Sequence, residues 1–540
     1  MSLSSRASPE ETIASERPSE RQGCSGAGMP CCKFNVWSQA FISRGAVIVL
    51  IWNFLMVSVY YLFDPSTFIR NRSSGLYLEF ALVICVLLFY PFAGWLGDGY
   101  FGRYKVVSIG LLVTWAMVIA SGVSVLVDQY VLKNKSSWIN HALFSVAYVV
   151  MNLGYAWLYT NLLPLGIDQL QAGTSEHLRA YMYWYTWTLV TSLFVAHSVV
   201  TWLTQVPVVV TVLVPAICFT LAVILNFLLR ESLVKEPPTP HLLKNTYGIL
   251  KFAIRNQPSR LRSALTYWED EIPSRIDRAK RKYGGSYTTE EVENVKSLFR
   301  IATLVMLVSV FCNSIRLGNE LLHHYRHGVH MVSLQPLVSF PTIILIPFVK
   351  VFLSPVKASC LQTFGILKRA GFGAALLIGG FFGIMALDVI GQEITNDAPC
   401  LVFANATSPK LNIDYCWLSL PWTLQGIGYF FLITSLFELI VAQAPYGMKS
   451  MLIGFSGITM FLHGLHSVLL ELIFRSVYSP DKATIPSCGL WLYLVGAVIL
   501  VITFALLCIS IRKYRNRERD DTVRYHTFAE NYYATSNLPQ

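Results

Sequence analysis

Twelve separate blocks of apolar residues, most of them about twenty long, recur along this 540-residue chain, and that recurrence restricts its fold more than any other feature. A helix rises about 1.5 Å per residue, so each block matches a hydrocarbon core about 30 Å thick. The blocks lie near 39–62, 77–96, 104–127, 138–160, 181–203, 208–229, 298–318, 332–353, 368–390, 417–442, 450–475 and 489–511. The chain is 54% hydrophobic and only 14% charged, which leaves too little polar surface for a soluble enzyme of this length. An all-α membrane protein with twelve transmembrane helices is therefore expected, in contact with the lipid bilayer along most of its length.

Charge sets the expected orientation. Of the 42 Lys and Arg, 32 fall on the N-terminal tail, the even-to-odd connections and the C-terminal tail, 9 fall on the opposite set, and Arg44 lies inside the first span. Positively charged segments stay in the cytosol, so both termini and the 230–297 connection are expected there. The net charge of +11 then needs no nucleic-acid partner to explain it. Three N-glycosylation acceptors, Asn71, Asn134 and Asn405, all fall on the opposite face. Cys400 and Cys416 share that face, where an oxidising compartment permits a disulfide, and Cys488 is a third candidate on the same side. The membrane of residence is expected to be the plasma membrane or an endolysosomal one.

Five segments follow: a tail 1–37, a six-helix bundle 38–229, a linker 230–297, a second six-helix bundle 298–512 and a tail 513–540. The linker carries 13 basic and 9 acidic residues and reads as a solvated connector able to meet anionic headgroups. Within it, Ser274 is placed to cap a short helix ending before Gly284, and Thr288 with Glu291 forms a candidate capping box opening the helix that enters span seven.

The chemistry-bearing motifs are few. Between spans two and three stands Gly94-Trp-Leu-Gly-Asp98-Gly-Tyr-Phe-Gly102-Arg103-Tyr104-Lys105, whose glycines permit close helix packing while Asp98 can accept free amides at a helix start and Arg103 can pair across a gate. Leu165-Gly166-Ile167-Asp168-Gln169-Leu170 follows span four, Gln335-Pro336 through Ile346-Pro347 to Pro355 spaces prolines through span eight, and Phe437-Glu438 through Ala444-Pro445-Tyr446-Gly447 closes span ten. Together with the linker segments 262–275 and 283–296, these resemble the proton-coupled oligopeptide transporter family of the major facilitator superfamily. The resemblance implies two six-helix bundles that rock about a midplane site, small peptides as substrate, and a gate containing Asp98, Arg103 and Asp168.

Departures from the family pattern bear on mechanism. Where the family carries E-x-x-E-R-F in span one, this chain reads Gln39-Ala40-Phe41 after Val36-Trp-Ser, without the acids or the arginine. Tyr159 stands where the family has a span-four lysine, and Arg316-Leu317 where span seven often holds Asp-Gln. By resemblance Glu438 is expected to hold a peptide amino group. Arg44, one turn beyond the missing arginine, or Arg316 is expected to hold the carboxylate. For Arg44 the alternative is snorkelling to the surface. Protons are expected as partners only weakly, through Glu438. His323, His324, His327 and His330 form a basic loop rather than a metal site, no phosphate-cradling loop is present, and no cofactor or catalytic set is expected. The competing readings are facilitated diffusion of another organic solute and a sensor or scaffold that kept the fold.

The topology is directly testable. Glycosidase should collapse a heavier gel band, and protease outside intact cells should spare residues 260–290; external cleavage there would overturn the orientation.

Overall fold

The computed structural model describes residues 43–62, 89–131, 138–170, 175–203, 208–238, 242–255, 274–325, 343–344, 365–394, 415–445, 447–457 and 488–514. Among them the regular structure is helical, apart from one bridge between Lys280 and Tyr287. The first group of helices comprises α1 (Arg44–Leu62), α2 (Arg103–Leu126), α3 (Trp138–Asp168), α4 (Ser175–Leu203) and α5 (Val208–Leu228). Residues 89–96 add the end of span two, which widens into a π turn, Gly97–Phe101. The linker contributes α6 (Leu242–Arg255), and the second group comprises α7 (Thr289–Tyr325), α8 (Ile366–Ile394), α9 (Tyr415–Gln443), α10 (Lys449–Ser456) and α11 (Cys488–Lys513). Apart from residues 343–344, span eight lies outside the described residues, as do the outer parts of spans two and eleven.

Five helical stretches among the described residues are long and apolar enough to cross a bilayer: Arg103–Val131, Ala142–Asp168, Ile366–Leu387, Ser419–Gln443 and Leu494–Lys513. The outer faces of the apolar helices fit a lipid surrounding. On the shorter α5, Leu213, Ile217, Leu221, Ile224 and Leu228 are all exposed at helical spacing, and α11 shows Leu494, Val498, Ile502 and Ile509 in the same way. Water would penalise such stripes, whereas lipid tails do not.

Within the first group α2 packs on α3 and α5, and α1 on α4. In the second, α8 packs on α9, and α11 lies against α7 and α8. Lipid offers no hydrophobic drive between helices, so small residues that let backbones approach decide where contacts form. A Cβ on Gly373 of α8 would lie 2.7 Å from the Gly428 carbonyl oxygen of α9, and one on Gly428 would lie 2.8 Å from that of Gly373. The two groups meet where α4 packs on α9 and α3 on α10.

Two expectations for the linker changed. Its described part is a folded unit rather than a solvated connector: Ile249 of α6 is buried with Ala279, Val292 and Val295. The capping box forms as expected, with the Glu291 amide donating to Thr288 Oγ1 (3.3 Å) and the Thr288 amide to Glu291 Oε2 (2.9 Å). Ser274 accepts from the Asp277 amide (3.2 Å), yet two 3-10 turns follow instead of a helix, because Lys280 turns extended to pair with Tyr287. Burial opposes ionisation of Asp277, but hydrogen bonds from Lys280, Lys296 and Ser274 outweigh it and hold the carboxyl well below its usual range. A depressed carboxylate stabilises the folded linker above its unfolded value and loses that contribution as pH falls towards the folded one.

The Gly373–Gly428 approach yields a stability test. Gly428→Val must push α8 and α9 apart and should lower the melting temperature of the detergent-solubilised protein, at a cost of about 1–3 kcal/mol. An unchanged melting curve would mean that the backbone contact is not tight.

Candidate functional site

The π turn and the residue after it make the site. The turn carries Asp98 to the end of span two, and Gly102 at φ +85° resets the chain so that Arg103 opens α2 facing back toward it. A side chain at that φ would be strained, which explains the glycine in physical terms. Arg103 Nε donates to Asp98 Oδ1 (2.8 Å), and Arg103 Nη1 donates to both carboxylate oxygens of Asp168 at the end of α3 (2.5 and 2.7 Å). The same Nη1 lies 3.4 Å from Glu236 Oε2 of the linker entry. The three side chains Asp98, Arg103 and Asp168 are 1%, 9% and 4% exposed, so these charges depend on one another.

Asp98 also reaches into the second group. Its Oδ2 accepts from the backbone amides of Ser450 (2.7 Å) and Met451 (3.3 Å), and its Oδ1 accepts from Ser450 Oγ (2.8 Å). These are free first-turn amides of α10, whose own cap residue, Met448, makes no side-chain bond. Asp98 therefore caps a helix of the other half and places its negative charge at the positive end of that helix. Close approach makes this reachable: a Cβ on Gly94 would lie 2.2 Å from the Ser450 carbonyl oxygen. Lys449, the first residue of α10, adds a second cation to the field of Asp168 and Glu236.

The linker entry straps this cluster from outside. Gln169, 3% exposed, accepts from the Val234 amide (2.8 Å) and donates to the Val234 carbonyl (3.0 Å), as a neighbouring strand would. Lys235 sits over the Tyr104 ring at 5.1 Å. Of the expected gating residues, Asp98, Arg103 and Asp168 are brought together; Glu236, Gln169, Lys449 and Ser450 join them without having been singled out for it.

The expected substrate residues are dispersed. Arg44 is the exposed first residue of α1, beside Gly45, whose Cα faces Gln169 at the clasped end. That placement favours snorkelling over a midplane role. Tyr159 bridges the halves, its hydroxyl 3.0 Å from Ser456 Oγ of α10 and its ring 5.8 Å from that of Tyr90. Glu438 lies five residues before the end of the 29-residue α9, also toward the clasp. Its carboxylate accepts from Arg369 Nη2 of α8 (2.7 Å), and Arg369 Nη1 stands 3.4 Å from the Tyr183 hydroxyl of α4. Arg369 was not singled out from the sequence. The signal that could have found it is its position one turn before Gly373, on the face that α8 turns to α9, while its neighbour Lys368 is exposed.

Arg316 lies on α7, but its side chain is outside the described residues, as are Asn71, Asn134, Asn405, Cys400 and the side chain of Cys416. Among the described residues no group of His, Cys, Asp and Glu could hold a metal. Around the clasp the halves also meet through apolar packing: Leu50, Tyr181, Trp184 and Tyr185 share one cluster with Phe437, Ile440, Met448 and Leu452.

The sequence profile described as PTR2, POT family, matches residues 109–485. A human protein named solute carrier family 15 member 5 is 23% identical over 361 residues, which is 62% of this chain and 61% of that protein, so the match spans less than two thirds of this relative. A crystal structure described as an auto-inhibited POT family peptide transporter superposes with a TM-score of 0.63 at 15% identity, covering 88% of this chain and 98% of that one. The POT family transporter PepTSo gives the same TM-score and identity over 88% of this chain and 99% of its own. At such identities the likeness shows the fold, which is the helical major facilitator fold.

The Arg369–Glu438 pair predicts a non-additive result. Arg369→Met takes the guanidinium from a half-buried carboxylate and should destabilise the protein by about 1–3 kcal/mol, whereas Arg369→Met with Glu438→Gln should recover most of the loss. Additive losses in detergent melting would show that the two charges do not depend on each other.

Proposed function

The chain belongs to the POT family, and from that premise we propose that it carries a small organic solute, foremost a di- or tripeptide, across a membrane by alternating exposure of a site between its halves. One observation carries the proposal: the halves are joined at one end by polar bonds that can open without unfolding either bundle. Asp98 to α10, Tyr159 to Ser456 and Arg369 to Tyr183 all run between halves, the first bundle keeps an apolar cluster of its own, and a second apolar cluster is shared across the seam. A rigid scaffold has no need to join its halves through buried charge, which costs more to desolvate than apolar contact. Charge asymmetry supports a cytosolic location for this clasp, and the described state is then closed to the cytosol.

Glu438 is proposed as the anchor of a substrate ammonium group, with one change of partner. In the clasped state Arg369 already neutralises it, so the ammonium must displace Arg369, whose guanidinium is then available to grip the substrate carboxylate with two parallel bonds. Arg44 and Arg316 remain the alternative carboxylate partners. The missing span-one acids leave Glu438 as the proton site, so coupling to protons is expected to be weak. Facilitated diffusion is favoured as a second reading by the same neutralised pair.

Uptake of labelled dipeptides into reconstituted vesicles after a pH jump tests this. Asp98→Asn should lower the transport rate about tenfold or more while leaving half-saturation nearly unchanged, since one charge-assisted cap is worth about 1.5–3 kcal/mol to a conformational equilibrium. Glu438→Gln should weaken zwitterionic peptides more than N-acetylated ones. Steep acid-driven accumulation that survives Glu438→Gln would place the proton site elsewhere, and absence of any solute-dependent uptake or thermal shift would favour the scaffold.

A further inference from the structure

The linker helix α6 has two faces with different chemistry. Thr246, Ile249 and Ala253 are buried against the unit formed with Val292 and Val295. On the opposite side Lys244, Tyr247, Lys251, Ile254 and Arg255 are exposed. At about 100° per residue these five fall within an arc of about 100°, a single stripe that alternates cation and apolar side chain. Tyr247 is 68% and Ile254 82% exposed. The sequence of α6, LLKNTYGILKFAIR, holds no acidic residue.

The surrounding unit spends its acids internally. Asp277 and Glu293 are both bonded by Lys280 and Lys296, and Glu291 takes the amide of Asn245 (2.7 Å) and the cap of Thr288. Apart from exposed Glu290, the outward charges beside α6 are basic, with Arg281 and Lys282 exposed on the neighbouring turn. An apolar stripe flanked by cations is the composition of a helix that lies in a membrane interface.

Position supports the same occupant. Ile249 packs beside Val295, and α7 continues without interruption to Ile301, where the apolar run of span seven begins. Six residues of helix amount to about 9 Å along the axis. The headgroup layer of a leaflet is about 5–8 Å thick, so α6 is held at the outer edge of that layer, within reach of the lipid phosphates for long cationic side chains. The geometry points to α6 as a binding surface for anionic phospholipid: Lys244, Lys251 and Arg255 meet the headgroup phosphates, and Tyr247 and Ile254 enter the interface between them. Three residues, 239–241, separate α6 from the strap whose Val234 bonds Gln169 and whose Glu236 lies beside Arg103.

Hydrogen exchange of the purified full-length protein tests this in nanodiscs of phosphatidylcholine with or without phosphatidylserine. Amides of 242–255 should exchange about tenfold or more slowly in the anionic discs, with α2 and α8 unchanged. The protection should vanish in Lys244→Ala/Lys251→Ala/Arg255→Ala and in high salt, and should persist in Lys244→Arg/Lys251→Arg, which keeps the charge. Equal exchange in both discs would overturn the proposal. So would uniform slowing of every helix, or protection that needs an added cytosolic protein rather than the anionic lipid.

Discussion

The bond from the Asp98 carboxylate to the first amides of α10 is the interaction on which the rest of the arrangement depends. It leaves one half of the molecule and completes a helix in the other, because Met448 supplies no cap of its own. Remove the α10 amides and Asp98 becomes a buried charge satisfied only in part; remove Asp98 and α10 starts with unpaired donors at its positive end. Arg103 is the counter-charge that makes such burial affordable, and Asp168 and Glu236 in turn hold Arg103. Charge in this cluster is thus mutually conditional, which suits a joint that either closes as a unit or opens as a unit.

A dry seam surrounds that joint. Tyr185 of α4 meets Phe437 of α9 edge-on at 6.0 Å, and Asn53 of α1 donates to the Tyr185 carbonyl (3.2 Å) and to Thr188 Oγ1 (2.8 Å), fixing α4 before it crosses to the second half. Exclusion of water strengthens each ionic bond of the clasp, and the same exclusion prevents a half-opened state from being comfortable. Glycine supplies the geometry. A Cβ on Gly454 would lie 2.5 Å from the Tyr90 carbonyl oxygen, so the end of span two and α10 approach almost backbone to backbone. Larger residues there would hold Asp98 away from the amides it caps.

The linker ties this joint to the membrane surface. Its entry, 229–238, runs along the clasp through Val234, Lys235 and Glu236, and its middle folds against the start of α7. A segment that joins the two bundles while touching the gate and the base of span seven has contacts on both moving parts. That is more than a tether requires, and it follows from ordinary devices: a capping box, a few ion pairs and one amphipathic helix.

Much of this could be read from residues in order. Apolar blocks of the right length prescribed helices because a bilayer leaves the backbone no other partner, and α1 to α5, α8, α9 and α11 begin or end within a few residues of those blocks. Thr288 and Glu291 announced their capping box because it is local, needing only three residues of separation. Asp98 and Arg103 were legible because a turn of glycines around a buried acid has few other uses. What sequence order could not supply was any pairing between distant elements. Arg369 drew no notice in the sequence, where a cation at the edge of an apolar block snorkels by default, and only the packing of α8 on α9 turned it toward Glu438. Arg44 looked like a replacement for a lost charge, yet its place as the first residue of α1 exposes it. Sequence alone determined that this chain is a bundle of membrane helices with a charged hinge between spans two and three. Which charges face each other was decided by tertiary structure, because ion pairs depend on a few ångströms between elements that lie up to 133 residues apart in the chain.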